Sequence, residues 1–177
     1  MQYKIVFILF LLSSVFFVPG VVGKEMARKD TLTVSSPVFK NNSTIPSKYT
    51  CDGVNVNPPL FIEHVPAGTK SLALIIDDPD APAGIWVHWV LWNIHPETKE
   101  LRENSVPKGA QQGMNDFRKH TYSGPCPPSG THRYVFKMYA LDTILTISPD
   151  ATKAELEKAM KGHIIEQAHI TGLYKRR

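Results

Sequence analysis

The chain has 177 residues, a formal charge of +4, fourteen prolines and two cysteines. That length suits one domain and is enough to bury a core without covalent staples. Mild basicity with no stripe of Lys and Arg interleaved with aromatics argues against a nucleic-acid binder, and fourteen prolines argue against a helical bundle.

The N-terminus reads as an export signal. Lys4 precedes an apolar run from Ile5 to Val18, Pro19-Gly20 breaks it, and Val21-Val22-Gly23 offers small residues for cleavage before Lys24-Glu25. The run is shorter than the ~20 residues that a membrane-spanning helix needs. The expectation is a signal peptide over 1–23 and a secreted or periplasmic protein. The alternative is an N-terminal membrane anchor with the domain outside. Residues 24–31 read as a flexible polar segment, and 32–177 as a single domain.

From Leu32 the chain alternates short strands with turn chemistry at Asn41-Asn42-Ser43, Cys51-Asp52-Gly53, Asn57-Pro58-Pro59 and Pro66-Ala67-Gly68. Ser71–Asp77 and Trp86–Ile94 are apolar at nearly every position, which predicts central strands buried on both faces. In His132–Leu141, His132, Tyr134, Phe136 and Met138 share one face, and Arg133, Val135, Lys137 and Tyr139 the other. Thr152 and Glu155 form a capping-box pattern. The stripe Leu156, Ala159, Met160, His163 and Ile164 predicts a helix behind it, and Ala168–Tyr174 reads as a last strand. The predicted fold is mainly β: an antiparallel β-sandwich with one or two peripheral helices near the C-terminus.

Three segments gather titratable groups beside rigid backbone: Asp77-Asp78-Pro79-Asp80-Ala81-Pro82, His88 between Trp86 and Trp89, and Tyr122 to Tyr134. Each has a plain structural reading. Asp-Pro pairs start turns, a lone strand histidine is commonly a hydrogen-bonded core residue, and the tryptophans read as core. Together they place carboxylates and imidazoles against apolar strands, where burial is costly unless they pair or meet a ligand. Cys51 and Cys126 both lie in the exported part, and an even count there favours a disulfide. Left free, Cys126 with His132 would make a candidate thiol hydrolase. His88, His132 and Asp78 would make a candidate set for a metal-dependent hydrolase.

The segments DPDAP (78–82), WVHW (86–89), GPCPP (124–128) and HRYVFKMYAL (132–141), with TCDGVNVNPPL (50–60) and GLYKR (172–176), resemble the phosphatidylethanolamine-binding protein family in its prokaryotic, Raf-kinase-inhibitor-like branch. The resemblance covers nearly all of the chain after the leader. It implies a β-sandwich with a shallow pocket for phosphate-like anions at Asp78, Asp80, His88, Pro125, His132 and Tyr134. It further implies a binding module rather than an enzyme, with no cofactor. The ligand would be a small phosphorylated or carboxylated molecule, and the protein a regulator or inhibitor of a peptidase or kinase-like partner. A membrane-lipid headgroup stays open as a ligand. Animal members add a C-terminal helical segment, and the chain stops at Arg177 with no obvious counterpart, so the pocket is expected to be more open. Relatives often carry glycine where Arg118 stands, which would put an extra cation near the mouth. One carboxylate, Asp78 or Asp80, is expected to accept from His88 and hold it protonated.

Overall fold

The computed structural model describes Met1 and residues 31–176, so the leader and residues 24–30 lie outside the described residues. Nine strands, one α-helix and one 3-10 turn follow in order. The elements are β1 (Thr33–Ser35), β2 (Ser43–Thr44), the 3-10 turn Ser47–Tyr49, β3 (Leu60–Glu63), β4 (Ser71–Asp78) and β5 (Trp86–Ile94). Then come β6 (Glu100–Leu101), β7 (Gln111–Gln112), β8 (His132–Leu141), α1 (Lys153–Met160) and β9 (Ile164–Tyr174). They form a six-stranded sheet of order β2-β9-β8-β4-β5-β7 and a three-stranded sheet of order β1-β3-β6. Every pairing is antiparallel except β2 with β9.

The central strands are apolar on both faces because each face has its own cover. On one side Leu72, Leu74, Ile76, Phe136 and Met138 pack with Val34, Leu60, Ile62 and Leu101 of the small sheet. On the other, Ala73, Ile75, Val90, Trp92 and Tyr139 pack with Leu156 and Met160 of α1. The alternation read in β8 follows this division: even positions enter the core between the sheets.

The helix begins where the capping pattern places it, with the Thr152 N–H donating to Glu155 Oε2 at 2.8 Å. It ends earlier than the apolar stripe suggests. Gly162 takes φ +85°, a conformation that stops a helix. His163 and Ile164 therefore lie outside the helix, and Ile164 already opens β9. Ten residues of β8 offer β9 a hydrogen-bonding partner, and that pairing overrides the helical periodicity.

Candidate functional site

The site lies where β4 ends, β5 bulges and β8 begins. Register is regular from Leu74↔Leu91 to Ile76↔Trp89, and then Asp77 pairs with Val87. One residue of β5, His88, is left over. A β-bulge of this kind re-aims a side chain. Without it, His88 would alternate onto the face of Val90 and Trp92, under the helix. With it, the imidazole turns toward Tyr134, ring centroids 5.2 Å apart and edge-on. The loop over 113–123 satisfies the distorted backbone: the His88 carbonyl accepts from Ser123 N and Asn115 Nδ2, and Val87 N–H donates to Asp116 Oδ2.

Asp78, at the end of β4, is 3% exposed and His132 7%. Asp78 Oδ2 lies 2.7 Å from His132 Nδ1, and Oδ1 accepts the Asp80 N–H at 2.8 Å. Both carboxylate oxygens are thus satisfied, which is what makes a buried charge tolerable. His88 Nδ1 lies 2.6 Å from the Ser123 carbonyl. A carbonyl only accepts, so Nδ1 carries the hydrogen and Nε2 is the nitrogen left for the cavity. Burial pushes the His88 pKa below its ordinary 6.5, outweighing the Ser123 hydrogen bond and the Asp78 charge. The expectation that an aspartate accepts from His88 and keeps it protonated is therefore wrong: Asp78 holds His132, and desolvation favours neutral His88.

These groups border a cavity of ≈ 310 Å³ lined by Asp78, His88, His132 and Tyr134 with Ala81, Pro82, Ala83, Trp86, Phe117, Cys126 and Pro128. The Tyr134 hydroxyl is buried without a partner in hydrogen-bonding geometry. Its pKa is pushed above the ordinary range by burial first and by Asp78 second, so it stays a donor.

Two of the six expected pocket residues stand behind the wall. Asp80 turns outward, accepting from Arg133 Nη2 at 2.6 Å, Arg133 Nε at 2.9 Å and the Arg133 N–H at 2.9 Å. That cation brings its pKa down to about 2. Pro125 accepts from Cys51 N–H and shapes the loop without lining the cavity.

Cys51 and Cys126 form a disulfide, Cα atoms 5.4 Å apart. The bond joins the 122–128 loop to the turn after Tyr49, alongside Gly124 N–H to Asn55 Oδ1 and Tyr122 Oη to the Tyr49 carbonyl. It removes the thiolate that a Cys126–His132 hydrolase requires. Asp78 is committed to His132, and among the described residues no three His, Cys, Asp or Glu side chains are arranged to hold a metal ion.

Trp86 and Phe117 escaped the sequence reading as pocket residues. Trp89 and Trp92 are core, but Trp86 is only half-buried and meets Phe117 edge-on at 5.5 Å. Its place at the strand's exposed end was the available signal; nothing local marked Phe117. Arg118, next in sequence, is exposed and absent from the cavity wall. Its φ of +57° is the left-handed conformation glycine prefers, so the residue answers to backbone shape as well as charge.

The sequence profile described as phosphatidylethanolamine-binding protein matches residues 35–175. A UPF0098 protein of Methanothermobacter thermautotrophicus is 49% identical over 150 residues, covering 82% of this chain and 99% of that one. A UPF0098 protein of Pyrococcus horikoshii is 52% identical over 159 residues, covering 84% and 79%. Among solved structures, a phosphatidylethanolamine-binding protein homologue from Chlamydia trachomatis superposes with a TM-score of 0.80 at 40% identity, covering 83% of this chain and 99% of that one. YbcL of E. coli superposes with a TM-score of 0.79 at 32% identity, covering 84% and 100%. The ordered motifs, the two-sheet architecture and these matches agree, and the chain belongs to the phosphatidylethanolamine-binding protein family.

Proposed function

We propose that the protein works as a binding module whose cavity takes a small phosphorylated or carboxylated ligand, acting outside the cytoplasm on a partner such as a peptidase. The observation that carries this reading is one buried hydroxyl, Tyr134, left without a partner in a cavity also lined by two histidines whose Nδ1 atoms are already engaged. An anion that accepts from Tyr134 and from a His88 protonated at Nε2 would satisfy these groups together. Trp86, Phe117, Pro82 and Pro128 would pack on the apolar part of such a ligand. Phe117, exposed while lining the cavity, supports a protein contact at its mouth.

This reading ties affinity to protons. Burial lowers the His88 pKa, so free protein at neutral pH holds the ring neutral and must take up a proton to face an anion. Affinity therefore rises as pH falls toward and below 6.5. Titration with phosphate, phosphorylethanolamine and sulfate, followed by histidine NMR shifts in wild type and His88→Ala, tests it. Sulfate keeps its charge over this range and separates protein from ligand protonation. Saturable shifts lost in the variant, with affinity growing on acidification, are expected. Flat sulfate affinity between about pH 5.5 and 8 would overturn the His88 role, and no shifts at millimolar ligand would overturn the pocket.

A further inference from the structure

The Asp78–His132 pair does more than anchor a loop. Asp78 fixes Nδ1 of His132 at 2.7 Å and is itself fixed by the Asp80 N–H. A carboxylate that orients an imidazole through Nδ1 presents the Nε2 lone pair outward in one defined direction, the arrangement of a general base. Here that direction is a cavity with apolar walls. Two residues along the same face of β8, roughly 7 Å away by strand geometry, stands Tyr134, a neutral hydroxyl donor with no partner. A base and a neutral donor standing side by side on one strand face and lining one cavity are the two groups needed to make and stabilise an enolate. Covalent ester hydrolysis would need in addition a side-chain nucleophile, and the one sulfur in the wall is locked in the disulfide.

We propose that this cavity catalyses proton transfer at the carbon next to a carbonyl, in small ketones or keto acids bearing an apolar or aromatic group. The His132 Nε2 lone pair takes the α-hydrogen as a proton, and the C–H electron pair forms the C=C bond of the enolate. The carbonyl oxygen takes up the charge and accepts from Tyr134 Oη. Return of a proton from Nε2 to the α-carbon regenerates the ketone, or yields the enol if oxygen is protonated instead. No oxidant or co-reactant enters the balance. Trp86, Phe117 and Pro128 hold the aromatic group. His132 and Tyr134 are the catalytic residues. Asp78, acting through His132, is a positioning residue. The proposal uses the same cavity as the binding reading but does not depend on which anion that reading assigns.

The test uses phenylpyruvate, which has two exchangeable hydrogens between a phenyl ring and a ketone. Deuterium wash-in at that carbon is followed by proton NMR in D₂O with purified protein. Saturable acceleration over buffer is expected. His132→Gln should lower it by about 100-fold, the scale of one general base. Tyr134→Phe, which deletes an oxygen that lacks a partner in hydrogen-bonding geometry but lies near Asp78, should lower it by about 10-fold or more. Asp78→Asn should reduce kcat with KM little changed, which a merely structural role would not single out. If phosphate gives histidine shifts, it should also inhibit competitively. Folded wild-type protein that gives histidine shifts with phosphate yet leaves the exchange at the buffer rate would overturn proton transfer while leaving the binding reading intact. Acceleration that survives in both folded His132→Gln and Tyr134→Phe would overturn the assigned roles. Acceleration without any phosphate shift would support proton transfer and refute the anion assignment.

Discussion

Replacing Tyr134 by Phe should move stability and binding in opposite directions. The ring is fully buried and keeps its edge-on contact with His88 in either residue. The hydroxyl, however, has no partner in hydrogen-bonding geometry. A buried polar group left unsatisfied costs about 1–3 kcal/mol, and the neighbouring cavity can relieve part of that by admitting solvent. Removing the oxygen should therefore stabilise the protein by about 1 kcal/mol, which for a domain of this size raises Tm by about 2–4 °C. If the hydroxyl donates to bound ligand, its loss should weaken binding by about 1 kcal/mol, roughly five-fold. Thermal unfolding by circular dichroism gives the first quantity and a phosphate titration the second, on the same preparations. A fall in Tm of a few degrees would refute the reasoning, because it would mean that Asp78, close enough to bear on the hydroxyl's titration, holds it in the free protein. Unchanged affinity would remove Tyr134 from the ligand contacts.

Gly124→Ala should destabilise by about 2–3 kcal/mol, because an added Cβ would meet the Tyr49 carbonyl at 2.5 Å and Asn55 Oδ1 at 2.6 Å; urea titration reads it, and a cost below about 0.5 kcal/mol would show that the two loops are not clamped. Reducing the disulfide, which closes a loop of 75 residues in sequence separation, should cost about 2–4 kcal/mol. The pocket should still bind while the protein stays folded, since Cys51 N–H to Pro125 and Gly124 N–H to Asn55 hold the loop independently. Asp80 has its pKa depressed to about 2 from 3.8 by Arg133. A depressed carboxylate contributes stability above its unfolded pKa and loses it as pH falls to the folded one. Acid unfolding between about pH 4 and 2 should therefore be shallower in Asp80→Asn than in wild type.

The large sheet was legible because its signals are collective. Three strands with apolar or cleanly alternating faces, separated by Pro, Gly and Asn clusters, leave little choice but a two-sided β core. The cap of α1 was legible because a capping box is local. Its end was not, since Gly162 and the claim of β8 on Ile164 outweigh a periodicity that runs on past Met160. The gathering of titratable groups beside rigid segments was legible in the residues, while the site's membership came from the resemblance. Its wiring was not readable. Which imidazole Asp78 meets depends on β4–β8 register, and the direction of His88 depends on a single extra residue in β5. A bulge has no sequence signature of its own when the residues around it are Trp, Val and Trp. Phe117 arrives on a loop whose course is set by Asn115, which accepts from Phe117 and Lys119 N–H and donates to the carbonyls of His88 and Thr121.

Two aspartates beside a site that would take an anion look self-defeating until each charge is traced. Asp80 points away from the cavity and is matched by Arg133 with three hydrogen bonds. Asp78 faces the cavity, but one oxygen is spent on a backbone N–H and the other on His132. Neither carboxylate presents an unpaired lone-pair edge to a ligand, so the direct repulsion an anion would meet is small. The field that remains acts through histidines. His88 sits where burial opposes its charge and Asp78 supports it, with burial the larger. A second negative charge at contact distance, where the attraction is least screened, would oppose the desolvation that keeps the ring neutral. A ligand anion, on the proposed reading, and Asp78 would act in the same direction on the same imidazole. On the proposed reading, the carboxylate that seems misplaced would favour proton uptake by His88 when an anion binds.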